Sequence, residues 1–344
     1  MRKLIFNIGN KTIGDGGILI QSMSDRKTSL IEENISLTNS LEELSLDMMR
    51  FSILDEDDLN ALIEIKKKVN IPIIADIHYN YLYAIKAMKN HADKVRINPG
   101  NIGSESNLRE VIKTAKEMNI PLRIGVNSGS LNKYKGKTSS KIDDYLLALD
   151  ETLEIFKQEN FEKIVLSLKS SDVEMTTQLY RRAYEKYPYP LHIGLTEAGR
   201  ALEGAIKSTV ALFPLLKDGI GDTIRVSLAE KREYEIRACK TLLKCAGRIK
   251  VPSLTVCPTC GRTLVDVKEL SDRIQLILDR TNKDIHVACM GCPVNGLGEA
   301  KDCDIGITGS GLKDLYILFS RGKEIGRYKK EEALKKIEEY IKEF

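Results

Sequence analysis

The sequence predicts an α/β protein in two parts. Residues 1–248 read as a (β/α)8 barrel, and residues 249–344 as a small α/β domain. Three observations predict this. A chain of 344 residues is too long for one comfortable core. Eight short apolar runs recur about every thirty residues, with amphipathic stretches between them, as strand–helix units do. All seven cysteines, Cys239 to Cys303, fall in the last third, so the end of the chain carries chemistry of its own.

The eight runs are "ILIQSM", "MMRFSI", "IPIIADIH", "KVRINPG", "PLRIGVN", "KIVLSLK", "PLHIGLTE" and "DTIRVSL". Between them lie helical patterns such as "LNALIEIKKKV" and "NLREVIKTAKEM". In "REYEIRACKTLLKCAG", Ile236, Cys239, Leu243 and Ala246 share one helical face. An open doubly wound sheet is the alternative. A count of eight, with no glycine fingerprint after the first strand, favours the barrel. A break follows at "AGRIKVPS". Beyond it "VKELSDRIQLIL" reads as a helix, and "EEALKKIEEYIKEF" as a closing helix with Leu334, Ile337 and Ile341 as its packing stripe. The polar stretch "NSGSLNKYKGKTSSK", residues 127–141, follows the fifth strand, where a barrel places mobile lids.

Composition narrows the class. The chain is 42% hydrophobic and 30% charged, as soluble globular proteins are. No apolar segment nears the roughly 18 residues of a membrane span. The basic start "MRKLIFNIGNKTIG" has too short an apolar run for a signal peptide. The expectation is a cytoplasmic protein with no membrane partner. A net charge of +4 is too slight to imply a nucleic-acid partner. In a reducing compartment, local cysteine pairs suggest metal or redox sites rather than disulfides.

Strand alternation separates the side chains. In "DTIRVSL", Arg225 and Ser227 oppose Ile224, Val226 and Leu228. The same alternation sets apart Arg50 and Ser52, Arg96 and Asn98, Arg123 and Asn127, Asp76 and His78, and Ser167 and Lys169. The apolar faces suit the helix layer, so the polar faces point into the barrel or its mouth. Five strands thus direct a cation inward: Arg50, Arg96, Arg123, Lys169 and Arg225. A single such arginine is best read as half of an ion pair. Five cannot be neutralised by Asp76 and Glu197 alone, and an unpaired buried charge costs several kcal/mol. A bound anion with more than one phosphate is the better partner, since guanidinium forks grip phosphate oxygens. Glu197 and His78 sit where barrel enzymes place proton-transfer groups. His192 reads as a packed barrel residue, and His91 and His286 as surface or loop.

The pairs Cys257-x2-Cys260 and Cys289-x2-Cys292 pose a further question. On spacing alone, a structural zinc ribbon ranks at least level with an iron–sulfur cluster. The 28 residues between the pairs exceed the usual ribbon insert of roughly 15–20, and they carry a helical pattern. The second pair continues into "PVNGLGE", which places Glu299 seven positions after Cys292, where it could serve as a weaker, replaceable ligand.

Taken in order, "VRINPGNIG", "RIGVNSGSL", "SLKSSDV", "HIGLTEAG", "DTIRVSL", "CPTCGR" and "GCPVNGLGEA" resemble the 4-hydroxy-3-methylbut-2-enyl diphosphate synthase family over nearly the whole chain. The resemblance implies one [4Fe–4S] cluster held by Cys257, Cys260, Cys292 and Glu299, with Cys289 left out. It implies a cyclic diphosphate substrate, opened and dehydrated with two electrons from reduced flavodoxin or ferredoxin. Glu197 matches the family's acid/base residue. Arg50, Arg96, Arg123, Lys169, Arg225, Asn127 and Ser227 match its diphosphate-binding set, with Asp76, His78 and Asn98 at the same mouth. It further implies a homodimer in which the cluster lobe of one chain caps the barrel of the other. Two departures stand out. The usual "NGPGE" reads "NGLGE", with Leu297 for proline, and "SMSDRKTS" replaces the usual "TNTxT" loop. The competing readings are a non-redox, pterin-type barrel synthase with a structural zinc lobe, and a zinc-ribbon interaction module fused to a barrel. The module would need basic residues gathered about the pairs. Instead Arg262, Lys268, Arg273 and Lys301 are interleaved with Asp266, Glu269, Glu299 and Asp302.

Overall fold

The computed structural model describes residues 3–126, 134, 136–196 and 198–344, without the side chain of Glu299. The chain divides into two compact units, Met1–Arg248 and Ile249–Phe344.

The first unit opens with a short antiparallel hairpin, β1 (Phe6–Ile8) and β2 (Lys11–Ile13). Strand–helix units follow: β3 (Leu19–Met23), α1 (Ile31–Glu43), β4 (Met48–Ile53), α2 (Glu56–Lys68), β5 (Ile73–Ile77), α3 (Tyr81–Lys89), β6 (Lys94–Ile97) and α4 (Glu105–Glu117). Then come β7 (Leu122–Val126), α5 (Lys141–Gln158), β8 (Ile164–Leu168), α6 (Val173–Lys186), β9 (His192–Ile193), α7 (Ala201–Lys217), β10 (Thr223–Ile224) and α8 (Arg232–Cys245). The eight strands β3 to β10 form one parallel sheet, ordered β8-β7-β6-β5-β4-β3-β10-β9. A parallel bridge from Leu166 to Leu191 joins its two ends. The (β/α)8 barrel expected from the sequence is therefore present.

Several helices start where a side chain accepts from one of their orphan amides. Asp55, Ser140 and Asp172 accept from the backbone N–H three residues on, which caps α2, α5 and α6. The apolar stripe of α8 is buried as its period predicts, through Ile236, Cys239 and Leu243.

The hairpin β1–β2 was not read from the sequence. It supplies Phe6, Ile8 and Ile13, which pack with Met48, Ile74 and Val165 at the N-terminal end of the barrel strands. This apolar plug closes one end and leaves the other, the C-terminal end of the strands, for polar groups. Ile8 and Ile13 are buried, so truncating either to alanine costs about 2–5 kcal/mol.

The second unit is a five-stranded sheet ordered β11 (Ser253–Val256), β12 (His286–Met290), β13 (Ile305–Gly309), β14 (Tyr316–Ser320) and β15 (Lys323–Tyr328). The first three strands run parallel and the last two are antiparallel. Helix α9 (Val267–Leu278) makes the crossover from β11 to β12, and α10 (Lys330–Glu343) ends the chain. Both helices match the expected stretches. They bury Leu270, Ile274, Leu334, Ile337 and Ile341 in one core with the sheet.

Candidate functional site

Strand register gathers the expected cations. Arg50 lies beside Ile74, two positions from Asp76, while Asp76 is level with Arg96, and Arg96 with Arg123. At the open end of the barrel these side chains line a cavity of about 250 Å³. Its wall contains Arg50, Arg96, Arg123, Lys169 and Arg225, with Asp76, His78 and Ser227. All five expected cations therefore meet at one place.

Their close approach depends on missing side chains. A Cβ on Gly194 would lie 2.7 Å from Lys169 Nζ and equally close to the Arg225 carbonyl oxygen, so no larger residue fits.

Asp76 is the anionic centre of one side. Arg96 Nη1 donates to its Oδ1 at 3.0 Å, Arg50 Nε lies 3.5 Å from its Oδ2, and His78 Nε2 lies 3.7 Å away. Burial alone would raise the Asp76 carboxyl. Arg50, the neighbouring His78, Arg96 and Arg123 outweigh it and hold the carboxyl well below the usual carboxylate range.

The opposite side has a carboxylate that the sequence reading missed. Glu235, in the first turn of α8, is buried and binds Arg225 through two nitrogens, at 3.0 and 3.2 Å. The sequence reading had Asp76 and Glu197 as the only neutralising carboxylates, and Glu235 corrects that. In "REYEIR" it looked like an ordinary acidic residue at a helix start, where the dipole favours it.

Two of these five cations remain without a carboxylate partner among the described residues. Arg123 is 2% exposed, and its Nε and Nη1 have no hydrogen-bond partner. Lys169 stands beside it, and burial together with Arg123, Arg225 and Arg50 drives its pKa well down. Burial also lowers Arg50, to about 10, against the pull of Asp76. A guanidinium keeps its proton in proteins. Arg123 therefore stays charged, and its unpaired charge makes the cavity electrostatically suited to an anion.

Asn98 is not brought to this cavity. Its Oδ1 turns back to accept from Gly100 N at 3.1 Å, and it lines a separate cavity of about 520 Å³ between α4 and α5. That larger cavity presents Glu105, Glu151 and Glu154 and no lysine or arginine, so it is the wrong sign for an anion. Asn127, Glu197 and most of the expected lid (127–133 and 135) lie outside the described residues. His192 is the packed residue expected, with Nδ1 2.8 Å from Thr223 Oγ1.

In the second unit, parallel pairing brings the two cysteine pairs to one end of the sheet. Val256 is level with Cys289, and Cys257 N donates to the Cys289 carbonyl at 2.9 Å. Thr263 ties the "CPTCGR" turn by accepting from Cys260 N and donating its own N–H to the Cys260 carbonyl. Cys292 follows β12, just before a π-helical turn at Asn295–Glu299. In that turn Ala300 N reaches the Asn295 carbonyl at 3.1 Å. Gly296 is needed there, because a Cβ would lie 2.8 Å from Thr308 Cγ2. Leu297, in the usual proline position, packs its side chain against the lobe core.

Cys289 differs from the other three. It lies inside β12, fully buried, with Sγ 3.8 Å from the Val267 carbonyl, and burial pushes its thiol up to about 12. The sulfurs of Cys257, Cys260 and Cys292 make no hydrogen bond among the described residues. No three metal-binding side chains converge among the described residues. The fit to an iron–sulfur cluster therefore rests on donor type and placement: three thiols at one sheet end, with Glu299 in the turn beside them.

These features define a class: a (β/α)8-barrel enzyme with a cation-lined mouth and a thiol-bearing α/β lobe. Residues 4–240 match the family model of the GcpE TIM-barrel domain, and residues 253–343 that of the GcpE protein C-terminal domain. The chain belongs to the GcpE family.

A relative from Caldanaerobacter subterraneus subsp. tengcongensis, named 4-hydroxy-3-methylbut-2-en-1-yl diphosphate synthase (flavodoxin), is 44% identical, covering 100% of this chain and 99% of its own. One of the same name from Ruminiclostridium cellulolyticum is 46% identical, covering 96% and 93%. Among solved structures, the dihydropteroate synthase of Yersinia pestis aligns with a TM-score of 0.53 at 8% identity, over 71% of this chain and 98% of its own. At that identity the likeness shows the barrel fold alone. It gives the pterin-type alternative no further support.

Proposed function

We propose that this chain is an iron–sulfur oxidoreductase. It converts 2-C-methyl-D-erythritol 2,4-cyclodiphosphate into (E)-4-hydroxy-3-methylbut-2-enyl diphosphate, in the non-mevalonate route to isoprenoids. The observation that carries this reading is the pairing of a cavity holding unpartnered cations with a lobe of three coterminal thiols, in a chain of this family.

Arg123 and Lys169 supply the net positive charge for the diphosphate. Arg50, Arg96 and Arg225, each braced by a carboxylate, supply direction. Ser227 and Asn127 add neutral contacts to phosphate oxygens. His78 lines the rim, where it orders the Asp76 side. Asn98 enters the set only if the chain after β6 turns it away from Gly100. Glu197 holds the proton that leaves with the lost hydroxyl.

Cys257, Cys260, Cys292 and Glu299 hold the cluster, of [4Fe–4S] type. When bound, the cluster supplies the two electrons one at a time. Reduced flavodoxin is the donor that fits the relatives' names, with ferredoxin as the substitute. Residues 1–248 form the substrate-binding domain and residues 249–344 the cluster domain. The assembly is a cytoplasmic homodimer with the lobe of one chain over the barrel of the other. An apolar stripe on α7, formed by the exposed Leu202, Ile206 and Val210, supports such self-association.

The test is iron, acid-labile sulfide and zinc content of anaerobically purified protein, followed by turnover of the cyclodiphosphate. About four irons and four sulfides per chain are expected for a [4Fe–4S] cluster. One zinc with no sulfide, even after attempted cluster reconstitution, would overturn the redox reading.

A further inference from the structure

Glu235 is the most heavily bonded carboxylate near the mouth, yet it does not line the cavity. Its Oε2 accepts from Ser22 Oγ at 2.9 Å and from Arg225 Nε at 3.2 Å. Its Oε1 accepts from Arg225 Nη2 at 3.0 Å, from Leu228 N at 3.1 Å and from Arg232 Nη1. The donors come from β3, from the chain after β10 and from α8, so one carboxylate joins three elements. Its side chain is 2% exposed, which makes each bond cost more to break than at a surface.

The geometry on Arg225 is specific. A guanidinium carries five N–H groups in one plane. Glu235 occupies the Nε–Nη2 edge. Among the described residues the remaining nitrogen, Nη1, has a hydrogen-bond contact only with the Met23 sulfur, at 3.6 Å. Arg225 itself lines the cavity. The plane of the fork is therefore set by Glu235, and its free edge belongs to whatever fills the cavity. A flexible arginine would have to be ordered on binding, and a braced one does not.

We infer that Glu235 is a positioning residue for the reaction: it fixes Arg225 so that its Nη1 edge meets a phosphate of the incoming substrate. This rests on the diphosphate reading of the mouth given above. The roles then divide. Arg225, matched by Glu235, brings orientation without net charge, whereas Arg123 and Lys169 bring the charge.

The experiment is a double-mutant cycle read by calorimetry with inorganic pyrophosphate, which needs neither the cluster nor turnover. The proteins are wild type, Glu235→Gln, Arg225→Ala and the double variant. Glu235→Gln should weaken pyrophosphate binding roughly tenfold, and the double variant should bind no more weakly than Arg225→Ala alone. In steady-state turnover Glu235→Gln should raise KM by a similar factor with kcat within about threefold, because a phosphate grip is shared by ground and transition states.

Additive losses in the cycle would overturn the inference, as would a lowered kcat at unchanged KM. A lowered melting temperature with normal pyrophosphate affinity would mark Glu235 as a structural staple only, and would also overturn it. Should Glu235→Gln fail to fold, Arg225→Lys keeps the charge but loses the fork. It should show the same roughly tenfold loss, and unchanged affinity there would overturn the inference. If wild type itself does not bind pyrophosphate, the anion reading of the mouth fails and this inference fails with it.

Discussion

Arg96 Nη1 donates to Asp76 Oδ1 at 3.0 Å, within a group where that one carboxylate faces two arginines and a histidine. Removing it leaves Arg50 and Arg96 without their carboxylate. Asp76→Asn should therefore cost about 3–5 kcal/mol in urea unfolding. The pH dependence follows with its sign. The folded pKa of Asp76 lies below its unfolded value of about 3.9, so its contribution is present above that pH and is lost as pH falls through the folded pKa. Wild type should lose stability progressively below about pH 4, and Asp76→Asn should do so with a shallower slope. Parallel slopes would show that Asp76 is not the group responsible.

Arg123 exerts the opposite pull on stability and function. Its Nε and Nη1 are buried without a hydrogen-bond partner among the described residues. Arg123→Met keeps the bulk and removes the charge, so it should stabilise the protein by about 1–3 kcal/mol while weakening pyrophosphate binding at least tenfold. A destabilised Arg123→Met that still binds pyrophosphate would refute the assignment.

Cysteine variants separate ligand from core. Cys289 sits in the core against the Val267 carbonyl, and serine there keeps the donor. Cys289→Ser should retain the iron of wild type. Cys257→Ser, Cys260→Ser and Cys292→Ser should each lose most of it, as measured by iron and sulfide analysis. Iron loss in the first variant would show the ligand set to be wrong.

Glu197→Gln should keep the iron content and the pyrophosphate affinity of wild type. Its kcat should fall by about 10²–10⁴, the usual contribution of a positioned proton donor. Full turnover in this variant would remove Glu197 from proton transfer.

The stripe on α7 gives the assembly a handle. Ile206 is 55% exposed between Leu202 and Val210. If two chains associate through it, Ile206→Glu should shift sedimentation at micromolar concentration from dimer to monomer with little change in melting temperature. An unshifted dimer would place the interface elsewhere.

Much of the barrel was legible because strand and helix periods are local properties of the chain. "MMRFSI" and "DTIRVSL" alternate over a few residues, and that alternation alone sorts Arg50 and Arg225 from the apolar faces. The helix "VKELSDRIQLIL" shows its buried stripe without reference to the sheet it covers. The thiol pairs and the five inward cations were legible for the same reason.

The hairpin β1–β2 was not. Its strands are three residues each, too short for a period, and only the Gly9-Asn10 turn between them marks it. Asn98 continued the inward alternation of β6 in the sequence, but the strand ends at Ile97 and an Asx turn redirects its side chain.

The sequence by itself determined the kinds of element, the faces they bury and the charge they carry inward. Only the tertiary structure decided which charges are matched. Ser22 and Glu235 are 213 positions apart and become partners only when β3 lies beside β10 and α8 docks on both. Pairing across the barrel depends on closure, and closure is a property of all eight strands together rather than of any local stretch.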